Sequence, residues 1–302
     1  MTHRRAVFLM VLVTLMWSIA GVVTRHLDSA RSFEVTFWRS AFNALALAIG
    51  LGWMRGAGLW RGLLRSPWTV WVSGLCWSVM YTAFMVAIML TTVANVLITM
   101  SIAPLVTALF ARLFLGHRLP ARTWLAIAVA GAGIAWMFGA EASGSQPGAV
   151  AGTLVALCVP LAGAVNWTVL QHISHSAQAS GEAPQDMLPA VLIGAVLSAL
   201  VTLPLSWPLQ ASLHDVSLLA MLGVVQLAIP CLLVVTLTRV LPGPEIALLA
   251  LLEVVFGVAW AWLGAGEQPG PTALSGGALV LGALVANELV GLRRNRSLGL
   301  QG

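Results

Sequence analysis

The sequence contains no lysine and only one tyrosine, and charged residues make up 8% of its 302 positions. A soluble domain carries about 25% charged residues, so this chain lacks the charge to cover a water-facing surface. Its fifteen positive residues are all arginine, set against ten acidic residues. Most of these arginines lie in short stretches between apolar runs. That pattern favours a membrane topology signal over the basic patch of a nucleic-acid-binding protein.

Cysteine is also scarce, with three residues far apart inside apolar runs: Cys76, Cys158 and Cys231. This spacing excludes a disulfide framework and the usual metal-binding patterns, and we expect buried thiols that pack as small apolar residues. The chain has no Walker sequence and no DxxD cluster. The sequence therefore predicts no metal, no cofactor and no catalytic residues, and it disfavours ATP hydrolysis and metal-dependent transferase chemistry.

Long apolar runs dominate the chain, in which 59% of residues are hydrophobic. A helix that spans a membrane needs about 20 mainly apolar residues, and lipid requires every backbone amide to bond within its own segment. The sequence therefore predicts an all-α polytopic membrane protein. Ten transmembrane helices are expected, at 6–25, 32–54, 67–90, 93–115, 121–140, 148–171, 185–206, 215–237, 243–263 and 270–292.

The arginines are distributed unevenly between the two sides of the predicted membrane. If the amino terminus is cytoplasmic, only Arg25 and Arg31 lie on the outer side, whereas twelve arginines lie on the cytoplasmic side. Cytoplasmic loops carry an excess of positive charge, so we expect both termini in the cytoplasm and the protein in the plasma (inner) membrane. The cytoplasmic set is Arg4, Arg5, Arg55, Arg61, Arg65, Arg112, Arg118, Arg122, Arg239, Arg293, Arg294 and Arg296.

The ten predicted helices divide into two groups of five at EASGSQPG, residues 141–148, the most polar and glycine-rich stretch on the outer side. Because five is odd, the second group enters the membrane in the opposite sense. Two related groups of this kind form an inverted repeat, which is typical of transporters. We expect repeats at 1–140 and 148–292, followed by a short basic cytoplasmic tail at 293–302.

The two halves show a weak internal match. Residues 95–118 (NVLITMSIAPLVTALFARLFLGHR) align with residues 245–268 (EIALLALLEVVFGVAWAWLGAGEQ) at an offset of 150 without a gap. Each stretch leads through a short glycine-containing turn into a helix rich in glycine and alanine. The identities are Ala111 with Ala261, Leu113 with Leu263 and Gly116 with Gly266.

Several motifs, with the order of the ten helices, resemble the EamA branch of the drug/metabolite transporter superfamily over essentially the whole chain. They are Pro104 followed by Leu115-Gly116, the pair Gly266-Glu267, Glu253 within the ninth helix, and Arg39 within SFEVTFWRSAFNALAL. The chain departs from the family pattern where His117 replaces a glutamate and Val254 replaces a proline. The proline that precedes the second-helix arginine in the family is also missing.

The resemblance implies a secondary active transporter that moves a small organic metabolite, such as an amino acid or derivative, outward by alternating access. The expected partners are a small-molecule substrate and the lipid bilayer, with no nucleic acid. Protons are considered as the coupling ion because of Glu253, and a monomer or homodimer is expected. Two alternatives stay open from the residues. One is a channel or flippase-like lipid mover, and the other is a membrane-embedded transferase.

In the family, helices 1, 3, 4, 6, 8 and 9 surround a central cavity, which makes polar and aromatic residues deep in those helices the substrate-binding candidates. An aromatic wall would suit apolar or aromatic metabolites and cations. For the tryptophans, ordinary packing is the alternative. The candidates are Trp17, Trp77, Tyr81, Thr99, Asn166, Trp167, Gln226 and Glu253.

Glu253 is expected near the middle of the bilayer, where an ionised side chain costs at least about 2.5–3.5 kcal/mol. One hypothesis is that it binds a cation, a proton or a substrate amine, and the other is that it only fixes helix packing. Arg39 is predicted to form a structural ion pair with Glu34, or else with another acid across the bundle. Arginine keeps its charge, so Arg39 cannot shuttle protons.

Three prolines, Pro104, Pro160 and Pro230, fall inside predicted helices. Proline removes a backbone hydrogen bond and kinks a helix, so we expect a kink at each. The Gly/Ala faces at 125–137 and 274–289 are predicted to pack closely or to form a dimer.

Overall fold

The computed structural model describes residues 2–30, 32–56, 58, 62–63, 66–114, 120–143, 148–180, 185–237, 240–241 and 249–297. All regular secondary structure in these ranges is helical. The helices are α1 His3–Thr24, α2 Ser32–Arg55, α3 Trp68–Leu90, α4 Val93–Met100, α5 Ala103–Phe114, α6 Ala121–Ser143, α7 Ala149–Ser180, α8 Leu188–Ser206, α9 Leu213–Met221, a π-helical segment Leu222–Ala228, α10 Ile229–Leu237, α11 Leu252–Ala265 and α12 Pro271–Ser297.

Within the described ranges, eight helical segments are long and apolar enough to cross a membrane, and two shorter apolar helices accompany them. The exterior of the bundle is rich in large apolar side chains; Trp53, for example, is 91% exposed. An apolar exterior is what lipid requires and what a soluble monomer avoids. The all-α membrane fold is therefore confirmed. The two shorter helices are Ala121–Trp136 and Leu252–Ala265.

Each of the ten predicted segments overlaps one or more of these helices. Helix α7 extends to Ser180, beyond the predicted end at 171. The start of the predicted segment 243–263 lies outside the described residues, as do Leu115, Gly116 and His117 of the first-half motif. Residues 144–147, which hold most of the expected boundary between the halves, also lie outside them.

Two predicted helices are interrupted. The predicted segment 93–115 consists of α4 and α5, which are separated at residues 101–102. Pro104 is the second residue of α5, a position where its missing N–H removes no helical hydrogen bond. The predicted segment 215–237 passes through the π-helical segment, and Pro230 follows directly in α10. Pro160, in contrast, lies inside the continuous helix α7.

Glycines allow several helices to approach to backbone contact. A Cβ atom on Gly194 of α8 would lie 2.9 Å from the carbonyl oxygen of Gly74 in α3, and one on Gly133 of α6 would lie 2.8 Å from that of Gly276 in α12. The predicted Gly/Ala faces of α6 and α12 therefore pack against each other within one chain. Cys76 and Cys231 are buried as expected. Cys158 is exposed, so the expectation of a buried thiol is wrong there.

Candidate functional site

Arg39 is a charged residue at the centre of the helix bundle. It lies on α2 and only 2% of its surface is exposed. Its Nε and Nη2 atoms donate hydrogen bonds to Oε1 of Gln226 at 3.1 and 2.9 Å. Its Nη1 atom is buried and has no hydrogen-bond partner among the described residues. The structure thus holds a permanent cation in the bundle with part of its donor capacity unused.

The predicted ion pair between Glu34 and Arg39 is wrong. The Oε1 atom of Glu34 instead accepts hydrogen bonds from the backbone amides of Gln210 and Ala211 at 2.8 and 2.7 Å. Residues five apart on a helix point about 140° apart around its axis, since each residue turns by about 100°. Glu34 therefore faces the chain segment before α9, whereas Arg39 faces the π-helical segment.

Gln226 reaches Arg39 because α2 and the π-helical segment are in backbone contact. A Cβ atom on Gly223 would lie 2.6 Å from the carbonyl oxygen of Arg39 and 2.7 Å from Cβ of Phe42. Gln226 also donates from Nε2 to the carbonyl oxygen of Trp17 at 3.2 Å. Its side chain therefore bridges α1 and α2. Short π-helical segments occur frequently at functional sites.

Aromatic residues of α3 form one wall around Arg39. The guanidinium carbon lies 5.4 Å from the centre of the Phe84 ring, within the range of a cation–π contact. Trp77 and Tyr81 have ring centres 5.5 Å apart. Residues separated by three or four positions share one face of a helix, so Trp77, Tyr81 and Phe84 are arranged along a single stripe. Across from it, Sγ of Cys231 lies 4.0 Å from the Tyr81 hydroxyl.

Glu253 approaches the cluster from α11. It is half-buried and interacts electrostatically with Arg39, but it accepts no hydrogen bond from the guanidinium, whose Nε and Nη2 atoms both donate to Gln226 and whose Nη1 atom has no described partner. Pairing of Arg39 with another acid across the bundle, the second partner considered from the sequence, stays a prediction. A cation on α2 and an acid on α11 interact electrostatically, with no direct hydrogen bond from Arg39 to Glu253. We call Arg39, Gln226, Tyr81, Phe84 and Glu253 the central cluster.

Three predicted cavity residues lie outside the hydrogen bonds of the central cluster. Asn166 is fully buried and accepts a hydrogen bond from Ser73 at 2.5 Å. Thr99 is fully buried in α4, and its hydroxyl has no partner among the described residues. Trp167 is 39% exposed.

Gln226 is the candidate that bonds to Arg39 directly, while Tyr81 and Glu253 interact with it electrostatically. Trp77 contacts Tyr81, and Trp17 is linked to the cluster only through its backbone carbonyl oxygen.

Sequence reasoning missed Phe84, which belongs to the central cluster, and Cys231, which lies next to its Tyr81. Phe84 follows Tyr81 by three positions, so the helical spacing from Trp77 was an available signal. Cys231 follows Tyr81 by 150 positions, which is the offset of the internal match between the halves. Nothing in the sequence alone connects Gln226 to Arg39, because their contact depends on the approach of α2 to the π-helical segment.

Asp28, His214 and Asp215 place potential metal-ligand atoms within 4.8 Å of one another at one end of the bundle. Asp215, however, accepts hydrogen bonds from the backbone amides of Asp28, Ser29 and Ala30 at 2.7–3.0 Å. The Asp215 carboxylate therefore accepts the hydrogen bonds of the backbone amides in the loop between α1 and α2. Because its oxygens are used in this way, the arrangement supports no metal site.

Residues 4–139 match the EamA-like transporter family. This match spans just under half of the chain. It is 27% identical, over 292 residues, to the pseudopaline exporter CntI of Pseudomonas aeruginosa strain UCBPP-PA14 and to that of strain PAO1. Each alignment covers 94% of this chain and 95% of the relative. The family match and the named exporters point to a transporter, and the apolar helices are those of a multi-pass membrane protein.

A solved crystal structure has a similar fold. It superposes on the EamA-like protein with a TM-score of 0.62, over 96% of this chain and 99% of its own, at 21% sequence identity. The likeness supports the helical membrane fold over nearly the whole length of the chain.

Proposed function

We propose that this EamA-like protein is a secondary active exporter of a small organic metabolite, such as an amino acid or derivative, in the plasma (inner) membrane. The observation that carries the proposal is Arg39, a charged residue that is only 2% exposed inside the bundle, together with the acid Glu253, half-buried on α11. Ionisable residues inside a membrane protein mark substrate and ion pathways. The similarity to a protein named as a metabolite exporter supports the outward direction.

The transport mechanism in this proposal is alternating access between two inverted five-helix repeats, each segment of the first half corresponding to the segment five positions later. The helix contacts support this pairing. Two contacts join corresponding segments directly: α2 packs on α8, and α6 packs on α12. Two further pairs of contacts are counterparts of each other. The contact of α1 with α11 corresponds to that of α7 with α5, and the contact of α3 with α8 corresponds to that of the π-helical segment with α2. Ten spans with both termini in the cytoplasm fit the arginine distribution.

The proposal is tested in two steps. The purified protein is first screened against a metabolite panel by thermal stabilisation, since a ligand at a hundredfold excess over Kd stabilises by about 2.7 kcal/mol. Each hit is then used for flux measurements in proteoliposomes under an imposed pH gradient. We expect flux that responds to the pH gradient. Trp53→Phe, at an exposed position far from the central cluster, serves as the control variant and should transport like the parent.

The alternatives give different results in the same proteoliposomes. A channel conducts the solute down its own gradient regardless of pH, a flippase moves labelled phospholipid, and a transferase converts the solute to another compound. Any one of these outcomes, without gradient-dependent flux of a solute, would contradict the proposal.

A further inference from the structure

The hydrogen bonds of Arg39 leave the charge of this buried side chain only partly compensated. A guanidinium has five N–H donors. The Nε and Nη2 atoms share one neutral acceptor, Oε1 of Gln226, and Nη1 has none among the described residues. Glu253 interacts with Arg39 electrostatically but does not bond to it. Leaving a buried charge without a direct partner is strongly destabilising, so the site favours an anionic acceptor that the protein does not supply.

The edge of the guanidinium that Gln226 occupies is one that carboxylates prefer. Carboxylates bind arginine through two parallel N–H···O bonds, one to each oxygen, and charge-assisted bonds of this kind are roughly twice as strong as neutral ones. Gln226 offers a single neutral oxygen to both donors. A carboxylate in its place would bring a second oxygen and a negative charge, so it would be the better ligand of Arg39.

Gln226 lies in the segment of the chain that is best suited to release it. The π-helical segment Leu222–Ala228 has wider turns than the α-helices before and after it, and such segments are rare and confined to short stretches. A local change from π to α geometry would turn Gln226 relative to Arg39 without unfolding the span. The contact of Gly223 with the backbone of α2 keeps the two segments together during that change.

We propose that Gln226 is a placeholder for a carboxylate of the transported solute. The solute's carboxylate displaces the Gln226 amide from Arg39, and a cationic nitrogen of the same solute faces Glu253. The substrate class is then a small zwitterion that bears both groups. This inference rests on the proposed function for the identity of the ligand as a transported solute. The anion site at Arg39 is testable without it.

The decisive variant is Gln226→Met, which keeps an unbranched side chain but removes the acceptor. Acetate is the probe, acetamide is its neutral counterpart, and sodium chloride matches the ionic strength. We expect acetate, but not acetamide, to raise the melting temperature of Gln226→Met, with an apparent Kd at least tenfold tighter than in the parent. The double variant Arg39→Gln/Gln226→Met should show no response to acetate. If Gln226→Met responds to acetate no more than to chloride, the placeholder proposal is wrong.

Gln226→Glu provides a second test that does not depend on the folding of Gln226→Met. It places a permanent carboxylate at Arg39. We expect it to melt at a higher temperature than the parent, to ignore acetate and to lose at least tenfold of the solute flux. If Gln226→Glu transports like the parent, the Arg39–Gln226 contact is only a structural link. Acetate binding without flux of any solute would instead contradict the proposed function and leave the anion site in place.

Discussion

At the scale of single residues, the two charges of the central cluster differ in what they can do. The guanidinium of Arg39 stays charged at any accessible pH, so its role is to attract and orient an anion. A glutamate can gain and lose a proton during a transport cycle. Glu253 is half-buried and accepts no hydrogen bond from Arg39. If the protein is a proton-coupled exporter, as proposed, Glu253 is the residue of the cluster that carries the proton.

Glu253→Gln tests this role, because glutamine keeps the shape of the side chain and cannot titrate. We expect the variant to fold, to bind the solute more weakly because the solute's cationic nitrogen loses its anionic partner, and to lose proton-driven flux and the pH dependence of transport. The measurement is solute flux under an imposed pH gradient, together with the melting temperatures of both proteins. If Glu253→Gln transports like the parent at every pH, Glu253 only packs and does not carry the proton.

Trp77 and Trp167 were equivalent candidates in the sequence, and the structure separates them. Trp77 contacts Tyr81 in the central cluster, whereas Trp167 is 39% exposed and outside it. We expect Trp77→Ala to change the apparent Kd of the solute at least several-fold, and the matched variant Trp167→Ala to leave it unchanged. Thermal-shift titrations with the same solute measure both. Equal effects of the two substitutions, or loss of folded yield alone, would return Trp77 to ordinary packing.

At the scale of helices, the contact between α2 and the π-helical segment positions the site. Gly223 has no room for a side chain, since its Cβ would lie within 2.8 Å of backbone and side-chain atoms of α2. We expect Gly223→Ala to lower the free energy of unfolding by about 1–3 kcal/mol, the usual effect of overpacking. It should also weaken solute binding, because Gln226 moves away from Arg39. Denaturation in detergent and solute titration give the two values.

Gly282→Ala is the control for this substitution, because nothing lies within 4 Å of a Cβ atom at Gly282. It also replaces glycine by a better helix former. We expect no destabilisation from Gly282→Ala. If Gly223→Ala is equally neutral, the close approach of the two segments is not needed for the site.

The positions of the helices could be predicted from the sequence, because lipid imposes a simple rule of length and apolar composition. Their interruptions could not. Whether a proline begins a helix, as Pro104 does in α5, or lies inside one, as Pro160 does in α7, depends on where the neighbouring backbone groups find partners. The partner of Arg39 was mispredicted for a similar reason. Glu34 was predicted because it is close to Arg39 in the sequence. The rotation along α2 turns the two side chains apart, and Arg39 bonds instead to Gln226 of the π-helical segment, 187 residues away.

At the scale of the whole molecule, the orientation in the membrane follows from the arginine distribution and stays a prediction. Cysteine is introduced at position 28 or 60 in a background without the three native cysteines, and intact cells are treated with a membrane-impermeant thiol reagent. We expect modification at position 28, and at position 144 in a third variant, because the arginine distribution predicts that both face outward. Modification of position 60 in intact cells would reverse the assigned orientation.

One end of the bundle is closed by a network that joins the two halves. Arg25, at the end of α1, donates from Nε to Glu267 at 2.8 Å and from its two Nη atoms to the carbonyl oxygens of Ile88 and Thr91 at 2.9 and 2.8 Å. Glu267 also accepts from the backbone amide of Val93, at the start of α4, at 2.6 Å. Glu267 thus holds together the ends of α1, α4 and α11. On the predicted topology, this is the outer end.

Under the proposed alternating access, this network must break when the outer path opens, and the native Cys231 beside Tyr81 can report the opening. In a background with Cys76 and Cys158 replaced, we expect Glu267→Ala to increase several-fold the rate at which an impermeant thiol reagent modifies Cys231 from outside. Without the carboxylate, the bond from Arg25 Nε and the bond from the Val93 amide are both lost, so we expect the outer-open state to be more populated. Asp186→Ala removes the partner of Arg55 at the opposite end and should not accelerate the modification. An unchanged rate in folded Glu267→Ala protein would mean that the network only supports the loop ends, and that the outer path is closed by the packing of α1, α4 and α11.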